Sequence, residues 1–141
     1  MVKVKIKKLD EKAAVPFQKH TTDGAYDLVA TSLKFENGAF VYGLGFSTEI
    51  PEGYRVNIVP RSSFTNTDCI MQNAHGIIDS SYRGEWFVKY KPLRAFTAMP
   101  YQVGERIAQC YIEKITPIEW EEVIELSETE RGTGGFGSTG K

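Results

Sequence analysis

The run Gln72-Asn-Ala-His-Gly-Ile-Ile-Asp-Ser-Ser-Tyr-Arg-Gly-Glu85 carries the residues best suited to chemistry. Asp79 follows two apolar residues and precedes a polar turn, and a carboxylate so placed can take a proton from water as a general base. The segment from Gly76 to Gly84 reads as a β-hairpin whose tip carries Asp79 and Tyr82. Strand backbone offers donors and acceptors to the edge of a flat base, as in strand pairing. Tyr82 can pack on a sugar. His75 stands alone, with no second metal-type residue at useful spacing, and reads as structural.

A second chemical segment is Val59-Pro-Arg-Ser-Ser-Phe64. Arg61, Ser62 and Ser63 gather a guanidinium, two hydroxyls and backbone N–H groups at a possible helix start, a place that favours an anion. The glycine-rich Walker pattern with its lysine is absent. A third segment, Gly24-Ala-Tyr-Asp-Leu28, offers Asp27 as a core hydrogen-bond partner, a turn former or a metal-shell carboxylate. Taken alone, it reads as a turn. The chain closes on Arg131-Gly-Thr-Gly-Gly-Phe-Gly-Ser-Thr-Gly-Lys141, in which five of the last ten residues are glycine. Such a segment cannot bury a core. Its single arginine, single aromatic and three hydroxyls, set among glycines, suit a clamp over a phosphate and a base.

Short strands must position these groups. Val2, Val4 and Ile6 alternate with Lys3, Lys5 and Lys7, the period of an edge strand blunted by lysines. Residues 39–50 are apolar but broken by Gly43 and Gly45, which predicts a strand with a bend or bulge. Pro51-Glu-Gly53 is a turn signal. Residues 54–59, 86–90, 94–99 and 106–113 read as further strands, and Ser62 or Ser63 can cap a short helix running toward Asp68. The spacing of turn signals is that of an all-β sandwich or barrel. Residues 119–130 carry six glutamates and no lysine or arginine.

Bulk composition narrows the function classes. The 141 residues predict one domain. Hydrophobic residues at 41 % and charged residues at 25 % predict a folded chain. A net charge of −1 argues against a dedicated nucleic-acid or anionic-membrane binder. No apolar run reaches membrane-spanning length, and the N-terminus lacks an apolar signal core. Cys69 and Cys110 are too few and too far apart for a disulfide framework or a zinc site, so a reducing cytoplasm is the expected setting.

Together these segments resemble the trimeric dUTP diphosphatases (dUTPases) over nearly the whole chain. Five short motifs stand in that family's order: Gly24-Ala-Tyr-Asp-Leu28, Pro60-Arg-Ser-Ser63, Gly76-Ile-Ile-Asp-Ser-Ser-Tyr-Arg-Gly-Glu85, Gly104-Glu-Arg-Ile-Ala-Gln109 and Arg131-Gly-Thr-Gly-Gly-Phe-Gly-Ser-Thr139. The resemblance implies an all-β, distorted jelly-roll-like β-barrel over residues 1–130, with one short helix. It implies a flexible arm over 131–141 that closes the active site. It implies a homotrimer with sites at subunit interfaces and hydrolysis of dUTP to dUMP and pyrophosphate, with magnesium (Mg2+) held by the triphosphate and water. That activity keeps uracil out of DNA and supplies dUMP for dTMP synthesis.

By the same resemblance, Asp79 is the base, supported by Asp27 and Gln109. Asp27 acts through a hydrogen-bond network or in the outer coordination sphere of the magnesium, and Gln109 holds an α-phosphate oxygen or the water. Arg61, Ser62 and Ser63 hold phosphates. Asn73 and the backbone of Gly76 and Ile78 read uracil, and Tyr82 lies under deoxyribose and excludes a 2′-hydroxyl. Arg131 binds the γ-phosphate, Phe136 covers the base, and Gly135, Gly137, Ser138 and Thr139 complete the arm's contacts.

Departures from the family pattern are Gly24-Ala25 in place of Ala-Gly, Ser63 in place of glycine, Ser81 in place of a second aspartate, and Val103 in place of proline. The related dCTP deaminases run Pro-Gly-Trp after Ile-Asp, whereas Ser80-Ser81-Tyr82 stands here.

Overall fold

A computed structural model describes residues 1–73 and 75–135. Ten strands form three antiparallel sheets. A two-stranded ribbon pairs β1 (Lys5–Lys8) with β5 (Phe46–Glu49). One four-stranded sheet has the order β2 (Tyr26–Val29), β10 (Arg106–Lys114), β6 (Tyr54–Pro60), β8 (Gly76–Ile78). The other has the order β3 (Ser32–Glu36), β4 (Ala39–Gly43), β9 (Phe87–Pro92), β7 (Cys69–Met71). Leu28, Ile58 and Ala108 from the first large sheet meet Tyr42, Val88 and Tyr90 from the second in one buried core, joined by Phe46 of the ribbon. The all-β, jelly-roll-like architecture expected from the sequence is the one observed.

The apolar stretch 39–50 is two strands. β4 and β5 lie in different sheets, and the chain changes sheet at Gly45, whose φ of +68° is a conformation that favours glycine. Alternation then decides which face each residue takes. In β10, Ala108, Cys110 and Ile112 oppose Pro60, Ile58 and Val56 on the core face. Gln109, Tyr111 and Glu113 oppose Val59, Asn57 and Arg55 on the other.

That alternation breaks once. Between Arg106 and Ala108 the register against β2 slips by one residue, so Arg106 opposes Val29 while Ala108 opposes Leu28. The extra residue, Ile107, makes a β-bulge. Ile107 and Ala108 are both fully buried. Without the bulge, Arg106 would share the core face with Ala108. With it, Arg106 joins Asp27 and Gln109 on the opposite face. The carbonyl of the unpaired Ile107 accepts the Tyr90 hydroxyl at 2.7 Å. Burial pushes the Tyr90 hydroxyl well above the ordinary tyrosine range, so it stays a neutral donor.

Four expectations need correction. Residues 76–84 are not a hairpin: β8 pairs with β6 of one sheet, while the next strand, β9, pairs with β4 and β7 of the other. Asp79 therefore stands on a crossover between sheets. Residues 94–99 form no strand; a bend and turn over 94–96 run into irregular chain, with Phe96 at φ 61° and fully exposed. Nothing covers an apolar face there, and strand propensity without a covered face does not hold a strand. Asp27 lies within β2 and not in a turn. The short helix is a 3-10 turn, Ser62–Asn66, whose N-cap is Arg61 with no side-chain cap. After β10, residues 115–135 form no strand or helix.

Candidate active site

Two clefts hold five of the residues singled out from the sequence, Ile78, Asp79 and Tyr82 in one and Arg61 and Ser63 in the other. The first is lined by Ile77, Ile78, Asp79, Tyr82, Glu85, Phe87 and Lys89. Its entry is fixed by β8, where Ile78 pairs with Val56. Its exit is fixed by Trp86, whose N–H donates to the Phe46 carbonyl at 3.1 Å and whose carbonyl accepts the Leu44 N–H at 3.0 Å. Between these anchors the Tyr82 N–H donates to the Asp79 carbonyl at 3.1 Å, closing a turn. The Asp79 side chain is exposed and carries no ion pair or hydrogen bond among the described residues. A carboxylate in that state has lone pairs available to water.

β8 is the outer strand of its sheet, so one side of its backbone is unpaired. The outer side of β8 (Gly76–Ile78) thus offers backbone N–H and C=O groups at an edge. Asn73 is exposed in the preceding turn, and a Cβ on Gly76 would lie 3.4 Å from its Nδ2.

The second cleft is lined by Arg61, Ser63, Asn66, Thr67, Pro100, Tyr101, Gly104, Glu105 and Arg106. At its base Asp27 accepts from two guanidiniums, Arg61 Nε at 3.0 Å and Arg106 Nη1 at 2.9 Å. Arg61 Nη1 also donates to the Arg106 carbonyl at 3.2 Å and approaches Ser63 Oγ at 3.5 Å. Phe64 seats this segment on the core by stacking on Tyr90, with ring centroids 4.4 Å apart. Gln109 pairs directly with Asp27 in the β2–β10 ladder and donates from Nε2 to the Pro60 carbonyl at 3.3 Å. The fixed arginines and the hydroxyls of Ser63, Thr67 and Tyr101 suit a multiply charged anion.

Asp27, Arg61, Ser63 and Gln109 are therefore gathered together, with Ser62 exposed beside them at the start of the 3-10 turn. Asp79, Tyr82, Gly76, Ile78 and Asn73 form a separate group. No residue lines both clefts. Arg131 joins neither group: its Nε donates to the Gly134 carbonyl at 3.0 Å within a local turn. Gly135 lies beside that turn, and Phe136, Gly137, Ser138 and Thr139 lie outside the described residues.

Sequence reading missed Arg106 as a site residue. Strict alternation puts it on the core face, and only the bulge reverses that. The adjacent apolar pair Ile107-Ala108, breaking the period of two, was the available signal.

Among the described residues no three His, Cys, Asp or Glu side chains gather to hold a metal ion. Each Asp27 oxygen already accepts one guanidinium N–H, which leaves lone pairs for a water but not an open carboxylate. The donor set fits a cation that arrives on a ligand and meets Asp27 through water. No helix of the described residues is long and apolar enough to cross a membrane.

The dUTPase family profile matches residues 11–140. The deoxyuridine 5′-triphosphate nucleotidohydrolase of Nautilia profundicola is 40 % identical, the match covering 99 % of this chain and 100 % of that one. The enzyme of the same name from Dictyoglomus turgidum is 37 % identical, covering 99 % of each. Among solved structures, a mutant dUTPase of Staphylococcus bacteriophage 80alpha with dUpNHpp superposes with a TM-score of 0.83 at 27 % identity, again covering 99 % of each chain. A profile over residues 11–140 and relatives that cover 99 % of the chain take in both clefts and the glycine-rich terminus at once, and the chain belongs to the dUTPase family.

Proposed function

We infer that the reaction of this dUTPase, dUTP and water to dUMP and pyrophosphate, is carried by Asp79 of one subunit acting with the arginine cleft of another. The observation that supports this reading most is the separation of the two groups. One chain presents a base and a sugar-facing tyrosine in one cleft, and its phosphate-binding arginines in a second that shares no lining residue with the first. A symmetric oligomer resolves this by pairing unlike clefts around a ring, and a homotrimer is the assembly proposed.

In this reading Asp79 accepts a proton from the water that attacks the α-phosphorus. The bond to the bridging oxygen breaks, and pyrophosphate leaves. The unpaired edge of β8 reads uracil through the backbone of Gly76 and Ile78, with Asn73 beside it. Tyr82 packs under the sugar. Arg61, Ser62 and Ser63 hold phosphate oxygens, and Gln109 holds an α-phosphate oxygen or the water. Asp27 fixes the Arg61 and Arg106 guanidiniums, so their positive charge is in place before substrate arrives. Asp27 would hold, through water, a magnesium ion carried in on the triphosphate, and when bound that ion would neutralise part of the phosphate charge. Residues 1–130 form the catalytic domain. Arg131, Gly135, Phe136, Gly137, Ser138 and Thr139 form an arm that closes over the nucleotide.

Product analysis with dUTP, and with dTTP, dCTP and UTP as controls, tests the activity. Ammonia from dCTP would point to deamination instead. Coexpression tests the shared site. Asp79→Asn and Arg61→Ala chains, each inactive alone, should regain activity in mixed assemblies, because some interfaces then unite intact halves. Mixed assemblies without activity would place the site within one chain.

A further inference from the structure

The Tyr82 ring is held by two neighbours that no role above includes. Its hydroxyl donates to the Glu85 carbonyl at 3.0 Å. The ring lies over Gly84 so closely that a Cβ there would sit 2.9 Å from Cε2 and nearer still to Cζ and the hydroxyl. Glu85 is itself tied down. Its Oε1 accepts the Gly45 N–H at 2.9 Å, across the point where the chain passes from β4 to β5. That carboxylate fits because position 43 is also glycine: a Cβ on Gly43 would lie 2.6 Å from the same oxygen. The crossover between β8 and β9 has few other restraints. Arg83 donates only to the carbonyls of Ser80 and Tyr82 within the turn itself.

We propose that Gly84 and Glu85 are positioning residues for sugar selection: Gly84 provides the space in which the Tyr82 ring lies, and Glu85 fixes that turn to the Gly43–Gly45 backbone. The proposal rests on Tyr82 being the ring that excludes a 2′-hydroxyl. Such exclusion is steric, so it depends on where the ring lies and not only on its presence. An alanine at position 84 would meet the movable end of a side chain, and Gly84 does not have a positive φ. It should therefore displace the ring and leave the fold intact. Removing the Glu85 carboxylate should loosen the turn without emptying the core.

The experiment measures kcat/KM for dUTP and for UTP in the full-length enzyme and in Tyr82→Ala, Gly84→Ala, Glu85→Ala and Glu85→Gln, with melting temperatures alongside. The preference for dUTP should fall about tenfold or more in Gly84→Ala, with the melting temperature held. It should fall similarly in Glu85→Ala and return in Glu85→Gln, whose amide oxygen still accepts the Gly45 N–H. Hydrogen exchange at the Gly45 amide should quicken in Glu85→Ala and not in Glu85→Gln. An unchanged preference in Tyr82→Ala would remove the premise. A lowered preference in Tyr82→Ala, with Gly84→Ala and Glu85→Ala both unchanged, would overturn the proposal alone. A Glu85→Gln variant as indiscriminate as Glu85→Ala would overturn the part assigned to Glu85.

Discussion

Arg106 donates to the Asp27 carboxylate at 2.9 Å, and the bulge at Ile107 puts the two side chains on one face. Arg61 occupies the other carboxylate oxygen at 3.0 Å. One partly buried anion thus holds two cations side by side. Asp27→Asn should leave Arg61 and Arg106 repelling each other. Removing one partner of a buried pair costs about 3–5 kcal/mol. The exposure of Arg106 lowers that, and a loss of roughly 1–3 kcal/mol is expected. Urea unfolding measures the stability, and a raised KM for dUTP should accompany it. A variant with native stability and native KM would show that Asp27 does not organise the arginines.

Tyr90→Phe tests the bulge itself. The buried Ile107 carbonyl would lose the hydroxyl donor at 2.7 Å. An unsatisfied buried acceptor costs about 1–3 kcal/mol. Because the bulge sets the face on which Arg106 lies, KM for dUTP should rise along with the loss of stability. Lost stability with unchanged KM would confine Tyr90 to packing.

Asp79→Asn should retain the fold and nucleotide binding while turnover falls about 10²–10⁴-fold, the usual effect of losing a general base. The carboxylate is exposed and holds no partner among the described residues, so its removal leaves no structural gap. Rapid-quench turnover and nucleotide titration separate the two effects. Retention of half the native turnover would rule out Asp79 as the base.

Truncation after Glu130 should abolish most hydrolysis with little change in melting temperature. Neither cleft is lined by any residue of 115–135, and among the described residues Arg131 bonds within its own turn. Ordering the arm over nucleotide costs about 1–2 kcal/mol per residue fixed. Charged contacts from Arg131 must offset that cost, so Arg131→Ala alone should reproduce much of the loss. Normal turnover in the truncated chain would remove the arm from the mechanism.

Alkali should destabilise the protein through its buried hydroxyl and thiol groups. Burial raises the Tyr42 hydroxyl from 10.0 to about 12, and the Cys110 thiol from 9.0 to about 12. Each stays neutral in the folded state after its unfolded counterpart has ionised. Their contribution is therefore complete below pH 9.0 and is lost progressively as pH rises toward 12. Melting temperatures from neutral pH to about pH 11 should fall, and should fall less steeply in a Tyr42→Phe variant. A Tyr42→Phe variant whose melting temperature falls with alkali as steeply as that of the unchanged protein would contradict the contribution assigned to Tyr42.

The sequence by itself determined the class and the chemistry. Alternation in 2–7, the glycines at 43 and 45, and five motifs that resemble the dUTPases in order were enough for an all-β member of that family, because strand period, turn residues and short motifs are local properties. The tertiary structure decided which of these residues meet. The run 76–84 looks like a hairpin because hairpin signals are local, yet partner choice is not, and β8 pairs with β6 while β9 belongs to another sheet. Asp27 read as a turn former until β10 supplied its ladder partner. Arg106 was missed as a site residue because strict alternation would put it on the core face, and only the bulge reverses that. That bulge exists only where Ile107 and Ala108 are both drawn into a core that also contains Tyr90. Burial across 79 residues of chain, from Asp27 to Arg106, is a property of the packed molecule, and no stretch of sequence contains it.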